Sequence, residues 1–205
     1  KRAREICEEY RFYDRSVCLY PARDLIFYQA DVAGGQLTRE RMQVIRTLAE
    51  KRPVTVVTTM AALMTPQVPF SAVESHVLYF DKRSVIEEDA LAARLVEMGY
   101  EKTWQVEAPG QFSIRGGIID VFDMTEENPY RIELWGDSVD SIRSFDVLSQ
   151  RSVETLDHVF FYPAVEMVLS KQRREDGFAR IDKETKAFAK KLKAAGQTEE
   201  AGRVR

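Results

Sequence analysis

Hydrophobic positions in this chain change period near residue 100, from the 3-4 spacing of helices to the alternation of strands. The alternation is clearest from Gln111 to Asp137. Phe112 and Ile114 alternate with Ser113 and Arg115, the signature of a half-buried strand. Gly116-Gly117 then predicts a bulge or bend. Ile118, Ile119, Val121 and Phe122 form a second, mostly apolar strand, and residues 124–129 a polar connection. In a third strand Tyr130, Ile132 and Leu134 fall on one side and Arg131, Glu133 and Trp135 on the other. Gly136-Asp137 suits a two-residue hairpin turn. With the first set in the core, the outer face presents Arg131, Glu133 and Trp135, and Arg115 joins them if its strand pairs in the matching register. Such a cluster has the chemistry of a partner-binding surface. A solvated sheet face with cross-strand ion pairs and one covered Trp fits the same pattern.

The rest of the chain divides around this stretch. Residues 3–12 predict a helix with Ile6, Cys7, Tyr10 and Phe12 on its apolar side. It lacks an N-cap residue, as if the chain began inside a larger domain. Val17 to Tyr20 is a short strand, and residues 25–36 a connection broken by Gly34-Gly35. Thr38 is the expected N-cap of a helix over 39–51 that carries Met42, Ile45, Leu48 and Ala49 on one face. Residues 54–59 are β-branched and apolar almost throughout, as in a parallel strand covered on both faces. Strand, helix and strand make a βαβ unit, so residues 1–70 read as a partial α/β domain.

Residues 76–80 predict another strand. Ser84 and Glu87 form a capping box for a helix that runs to Met98 with Ile86, Ala90, Leu91 and Leu95 inward, and Gly99 is its C-cap. Strands are expected over 103–108, through the three described above, and over 138–147. Residues 71–150 thus form a small α+β module, a helix on an antiparallel meander. Residues 152–165 add one extended segment. A final helix over 176–195 places Phe178, Ile181, Thr185, Phe188, Leu192 and Ala195 along one seam, to pack on this chain or on a following domain, and residues 196–205 fray. The fold class is α/β plus α+β, with 151–205 as a return segment and helix.

Composition narrows the function. With 44% hydrophobic and 31% charged residues the chain is globular, and no apolar run reaches membrane-spanning length. Cys7 and Cys18 cannot form a disulfide framework, which places the chain in a reducing cytoplasm. His76 and His158 are too few and too far apart in sequence for a metal site. Residues 171–205 hold 11 Lys and Arg against 6 Asp and Glu, so the main body is acidic and unsuited to wrapping a nucleic acid. No Gly is followed by Lys, which rules out a phosphate-binding loop of the G-x-x-x-x-G-K-[ST] kind. There is no G-x-G-x-x-G, no G-x-S-x-G and no Cys/His dyad. The acid runs Glu87-Glu88-Asp89 and Glu126-Glu127 fall at a helix start and in a loop. The chain is expected to have no active site, metal or cofactor of its own.

With those classes removed, QFSIRGGIIDVF (111–122), YRIELWGD (130–137) and SIRSFD (141–146) resemble the module shared by the excision-repair protein UvrB and the N-terminal part of the transcription-repair coupling factors. The stretches 20–29 and 38–69 resemble the partial helicase-like domain around that module, and the resemblance covers nearly all of residues 1–165. UvrB carries a Tyr-rich hairpin where this chain has the short stretch Tyr20 to Leu37, and a phosphate loop that is missing here. Both departures favour the coupling-factor branch. The resemblance implies docking to UvrA, the damage-recognising ATPase of excision repair. It further implies masking of the docking face by a distant C-terminal domain of the parent. RNA polymerase and DNA would be engaged through other domains, and ATP and magnesium would serve the parent, an ATP-dependent translocase. Matched position by position, the docking residues are Arg115, Arg131, Glu133 and Trp135. UvrB has arginines where this chain has Lys102 and Ser113. The alternative is a fragment of a UvrB-like, ATP-dependent damage-processing protein.

Overall fold

The computed structural model describes residues 2–23, 32–168 and 171–203. Lys1–Val168 form one compact unit and Leu169–Arg205 a second. The first unit begins with α1 (Arg2–Arg11), β1 (Val17–Tyr20), α2 (Val32–Ala49) and β2 (Thr55–Thr58). β1 and β2 pair in parallel, Val17 with Thr55 through Tyr20 with Thr58, so the expected βαβ unit forms. Met42, Val44 and Ile45 of α2 are buried in a cluster with Tyr20, Ala62, Val73 and Tyr162.

Three expectations fail here. α2 starts at Val32, runs through Gly34-Gly35 and passes Thr38 without a cap. Each helical Gly costs roughly 1 kcal/mol relative to Ala, and the packing of the Met42–Ile45 stretch outweighs it. The first turns also carry a Gln36–Glu40 hydrogen bond (3.1 Å) and a forked Arg4–Glu40 pair (2.8 and 3.0 Å). The remainder of the expected 25–36 connection lies largely outside the described residues, as does most of the stretch matched to the UvrB hairpin. On α1, Cys7 is buried, but Tyr10 and Phe12 are exposed, because the helix ends at Arg11 and the chain turns away. β2 is half-exposed rather than covered on both faces, and β1 is its one strand partner among the described residues. Two short helices follow, α3 (Met60–Leu63), capped by the Thr59 hydroxyl, and α4 (Phe70–Glu74). Neither has the length for a periodic signal.

Next come β3 (Leu78–Asp81), α5 (Glu88–Glu97), β4 (Glu101–Lys102), β5 (Gln111–Arg115), β6 (Ile118–Val121), β7 (Tyr130–Trp135), β8 (Ser138–Phe145), β9 (Ser152–Thr155) and β10 (His158–Phe161). β4 to β9 form a six-stranded sheet in sequence order, antiparallel except for the β4–β5 pair. The expected meander is present. Leu91 and Leu95 of α5, with Met98, pack on Phe112, Ile119, Val121, Ile132 and Ile142 from one face of that sheet. Gly99 takes φ +88° as the helix ends, and a Cβ there would lie 2.6 Å from Val165 Cγ1, so only Gly fits.

The cap of α5 differs from the expected box. Glu87 is the N-cap, its carboxylate accepting from Asp89 N (3.1 Å) and Ala90 N (2.6 Å). The Ser84 hydroxyl is taken by the preceding turn, where it accepts from Asp81 N and donates to Asp81 Oδ1. No strand forms over 103–108; the edge strand is Glu101–Lys102, just before that stretch, and residues 104–109 leave the sheet as a loop. Residues 152–165 form two strands instead of one segment. β9 ends the large sheet, and β10 pairs antiparallel with β3 in a separate ribbon.

Arginines of α2 join the α/β part to the module. Arg46 reaches the polar connection after β6, donating to Thr125 Oγ1 (2.5 Å) and Glu126 Oε1 (2.6 Å), while Arg39 donates to Glu126 O (2.9 Å). Beneath them Asp123 is fully buried and accepts from Thr125 N, Tyr162 N and the Tyr100 hydroxyl. Burial pushes its carboxyl above the usual range, against those bonds and the Arg46 charge. Arg41, also fully buried, donates to Glu166 Oε1 (2.5 Å) and Oε2 (2.8 Å), to Pro21 O (2.6 Å) and to the Tyr20 hydroxyl (2.5 Å). Arg23 adds a second ion pair to Glu166 at 3.1 Å.

The second unit holds α6 (Lys171–Ala194) and α7 (Thr198–Arg203). The helix expected over 176–195 begins five residues earlier, and part of the expected frayed end is helical. Phe178, Ile181 and Phe188 of the expected seam are exposed, while Ala189 is buried.

Burial alone would raise the Glu166 pKa, but the Arg41 hydrogen bonds and charge outweigh it and hold the carboxyl below its usual range. The pair therefore stabilises the fold fully above the unfolded glutamate value near pH ~4.3, and this contribution is lost as pH falls through the lowered folded value. Arg41→Ala is expected to cost about 3 kcal/mol by leaving the carboxylate buried without its main cation, read from urea unfolding at neutral pH. The gap between wild type and Glu166→Gln should narrow from about pH 5 to pH 3. A gap that stays constant over that range would show that the carboxyl is not ionised in the fold.

Candidate functional site

The face of the large sheet opposite α5 carries the polar residues of the period-two pattern. Register sets them in rows. Ser113 lies beside Asp120, Asp120 beside Arg131, and Arg131 beside Arg143. In the next row Arg115 faces Ile118, Ile118 faces Glu133, and Glu133 faces Ser141. The matching register needed for Arg115 to join Arg131 and Glu133 is the one observed. It is set by two glycines at positive φ, Gly116 (+57°) and Gly117 (+82°). They form a two-residue turn between Arg115 and Ile118, where a bulge or bend was expected. Gly117 N also donates to Glu88 Oε1 of α5 (3.1 Å).

The four expected residues share this face but differ in how far they are committed. Arg131 is only 14% exposed at its side chain. Its Nε and Nη2 donate to Asp120 Oδ1 (2.6 Å) and Oδ2 (2.8 Å), and Nη2 also donates to Gln150 Oε1 (3.0 Å). Its guanidinium sits 4.3 Å from the centre of the Phe145 ring. Glu133 pairs with Arg143 and accepts from the Ser141 hydroxyl (2.7 Å). Arg115 is looser, 3.8 Å from Asp120 and 5.5 Å from the centre of the Trp104 ring. Trp135 is 85% exposed, so the covered-Trp alternative fails. It ends β7 at the Gly136 turn, which leaves its ring open among the described residues.

Four members of the face were not foreseen. Asp120, 1% exposed, binds Arg131 and lies near Arg115. It stands between Ile119 and Val121, so the alternation itself marks it. Arg143 follows Ile142 in the same way. Gln150 sits in a tight turn at φ +58° and carries no periodic signal. Trp104 lies in the loop after β4, and the parallel pairing of β4 with β5 brings it here. Ser113, where UvrB has an arginine, is 1% exposed and donates to Trp104 O (2.8 Å). Lys102 is exposed on the edge strand. Among the described residues, no group of three or more His, Cys, Asp or Glu is arranged to hold a metal ion.

Residues 78–167, which include this face, match the family model of the UvrB interaction domain. The chain is 44% identical to the transcription-repair-coupling factor of Bacillus subtilis over 186 residues, 91% of this chain. This chain belongs to the UvrB-like region of the transcription-repair-coupling factors. Identity to the coupling factor of Staphylococcus aureus strain MRSA252 is 31% over 153 residues, 75% of this chain and 13% of that protein. UvrABC system protein B of Thermotoga petrophila is 27% identical over 198 residues, 96% of this chain and 29% of that protein. The chain spans 16% of the length of the Bacillus coupling factor.

The commitments on this face translate into stability. Arg131→Ala strands the buried Asp120 carboxylate and is expected to cost about 2–3 kcal/mol of folding free energy. Trp135→Ala removes a solvent-facing ring and should change stability by less than about 0.5 kcal/mol. Urea unfolding of both variants checks the contrast, and equal losses would contradict the geometry.

Proposed function

We propose that this chain is the UvrA-docking part of a coupling factor, a non-catalytic adaptor that links stalled RNA polymerase to nucleotide excision repair. The observation that carries the reading is the open sheet face. The stretch matching the UvrB interaction domain is the one that sets Arg115 and Trp135 toward solvent above paired Arg131 and Glu133. Residues 71–150 act as a UvrB domain 2-like module inserted into a partial helicase-like domain at 1–70, with 151–205 returning from it. Arg115 and Trp135 meet UvrA directly, as cations and aromatics do at binding hot spots. Arg131 and Glu133 shape the charged surface between them, and Arg131 Nη1, which takes no part in the bonds to Asp120, is offered to the partner.

The parent is an ATP-dependent DNA translocase in this reading, cytoplasmic, with RNA polymerase and DNA bound by other domains. Its C-terminal domain is the intramolecular partner that masks the docking face. No Gly is followed by Lys, so the residues here supply no phosphate-binding loop of the G-x-x-x-x-G-K-[ST] kind. The lower identity to UvrABC system protein B disfavours the UvrB-like, ATP-dependent alternative.

Calorimetric titration with purified UvrA tests the assignment. Arg115→Ala and Trp135→Ala are each expected to weaken binding at least ten-fold, about 1.4 kcal/mol or more, with the folded state intact. Added salt should weaken wild-type binding and change Arg115→Ala less. Wild-type affinity in both variants would refute this face as the docking site.

A further inference from the structure

The chain holds two tryptophans, and the fold brings both to the same open face. Trp104 is 80% exposed, yet its loop is tied down. Thr103 N donates to Phe112 O (2.8 Å), the Thr103 hydroxyl to Gln105 O (2.9 Å), and the Ser113 hydroxyl to Trp104 O (2.8 Å). The indole therefore stands in water on a backbone bonded to β5 along one side. A ring held this way gives the fold almost no apolar burial, but it offers a partner a large surface whose ordering is already complete.

Arg115 lies within cation–π distance of that ring. The face carries Arg115, Arg131 and Arg143 against Asp120 and Glu133. Arg131 takes both oxygens of Asp120, and Arg143 takes Glu133. Arg115 is the cation left most open to an outside acceptor, beside one indole and in the row next to the other. We propose that Trp104 is a direct docking anchor that works with Arg115 and Trp135. On this view the partner presents a carboxylate to Arg115 between two apolar pockets, one for each indole. The inference rests on the docking reading above and extends it to a residue outside the alternating strands.

The test uses the full chain and purified UvrA. Trp104→Ala should weaken binding at least ten-fold, Trp104→Phe by no more than about three-fold, and both should unfold at the wild-type temperature. In chain labelled with 5-fluorotryptophan, the fluorine resonance missing from Trp104→Phe identifies Trp104, and it should shift or broaden when UvrA is added. If wild type binds while Trp104→Ala binds equally well and that resonance stays unmoved, Trp104 is not an anchor and the docking reading survives. If wild type itself gives no binding, the docking reading falls and this inference with it.

Discussion

Asp120 sits in the row of Ser113, Arg131 and Arg143 with almost no exposure to water, and an ionised carboxylate stripped of solvent costs several kcal/mol unless cations replace it. The neighbouring strands supply them. Arg131 grips both oxygens from β7, and Arg115 approaches from the end of β5. These contacts decide the character of the whole surface. They hold long side chains in one arrangement across three strands, and Glu133 with Arg143 and Ser141 repeats the pattern toward β8. Flexible arginines would have to be ordered each time a partner arrived, at about 0.5–1.5 kcal/mol per side chain. Here much of that ordering is complete before contact.

A second set of arginines does the same for the body beneath. Arg39, Arg41 and Arg46 leave one helix and reach the connection after β6, the return segment and the β1 exit. The large sheet is thereby seated on the βαβ unit by charge-assisted bonds as well as by the shared apolar residue Met124, which packs against both main clusters.

The parts legible from the sequence are those where local pattern and tertiary demand agree. Alternation at Phe112 to Arg115 and Tyr130 to Trp135 reports which side faces α5, because one-sided burial is the cause of the alternation. It carries Arg115, Arg131, Glu133 and Trp135 onto one face with no knowledge of the fold. Position alone does not reveal commitment. Arg131 and Arg115 look alike in sequence, yet one is clamped and the other is loose, and the difference lies in Asp120 across the strand. Trp104 was invisible because a loop has no period, and its place depends on the parallel pairing of β4 with β5. α2 starts before Gly34-Gly35 because that pair is a weak stop that tertiary packing overrides. Ser84 does not cap α5 because its hydroxyl has a nearer claim in the Asp81 turn.

The Gly116–Gly117 turn acts as a counter. Side chains on a strand change faces with every residue, so a slip of one position in β5 would carry Arg115 inward and Phe112 and Ile114 into water. Both turn residues lie at positive φ, a conformation that few side chains tolerate, so the loop resists lengthening and replacement alike. Exchanging a side chain at a fixed address such as Ser113 therefore leaves the register untouched, whereas an insertion in the turn would have to rebuild it.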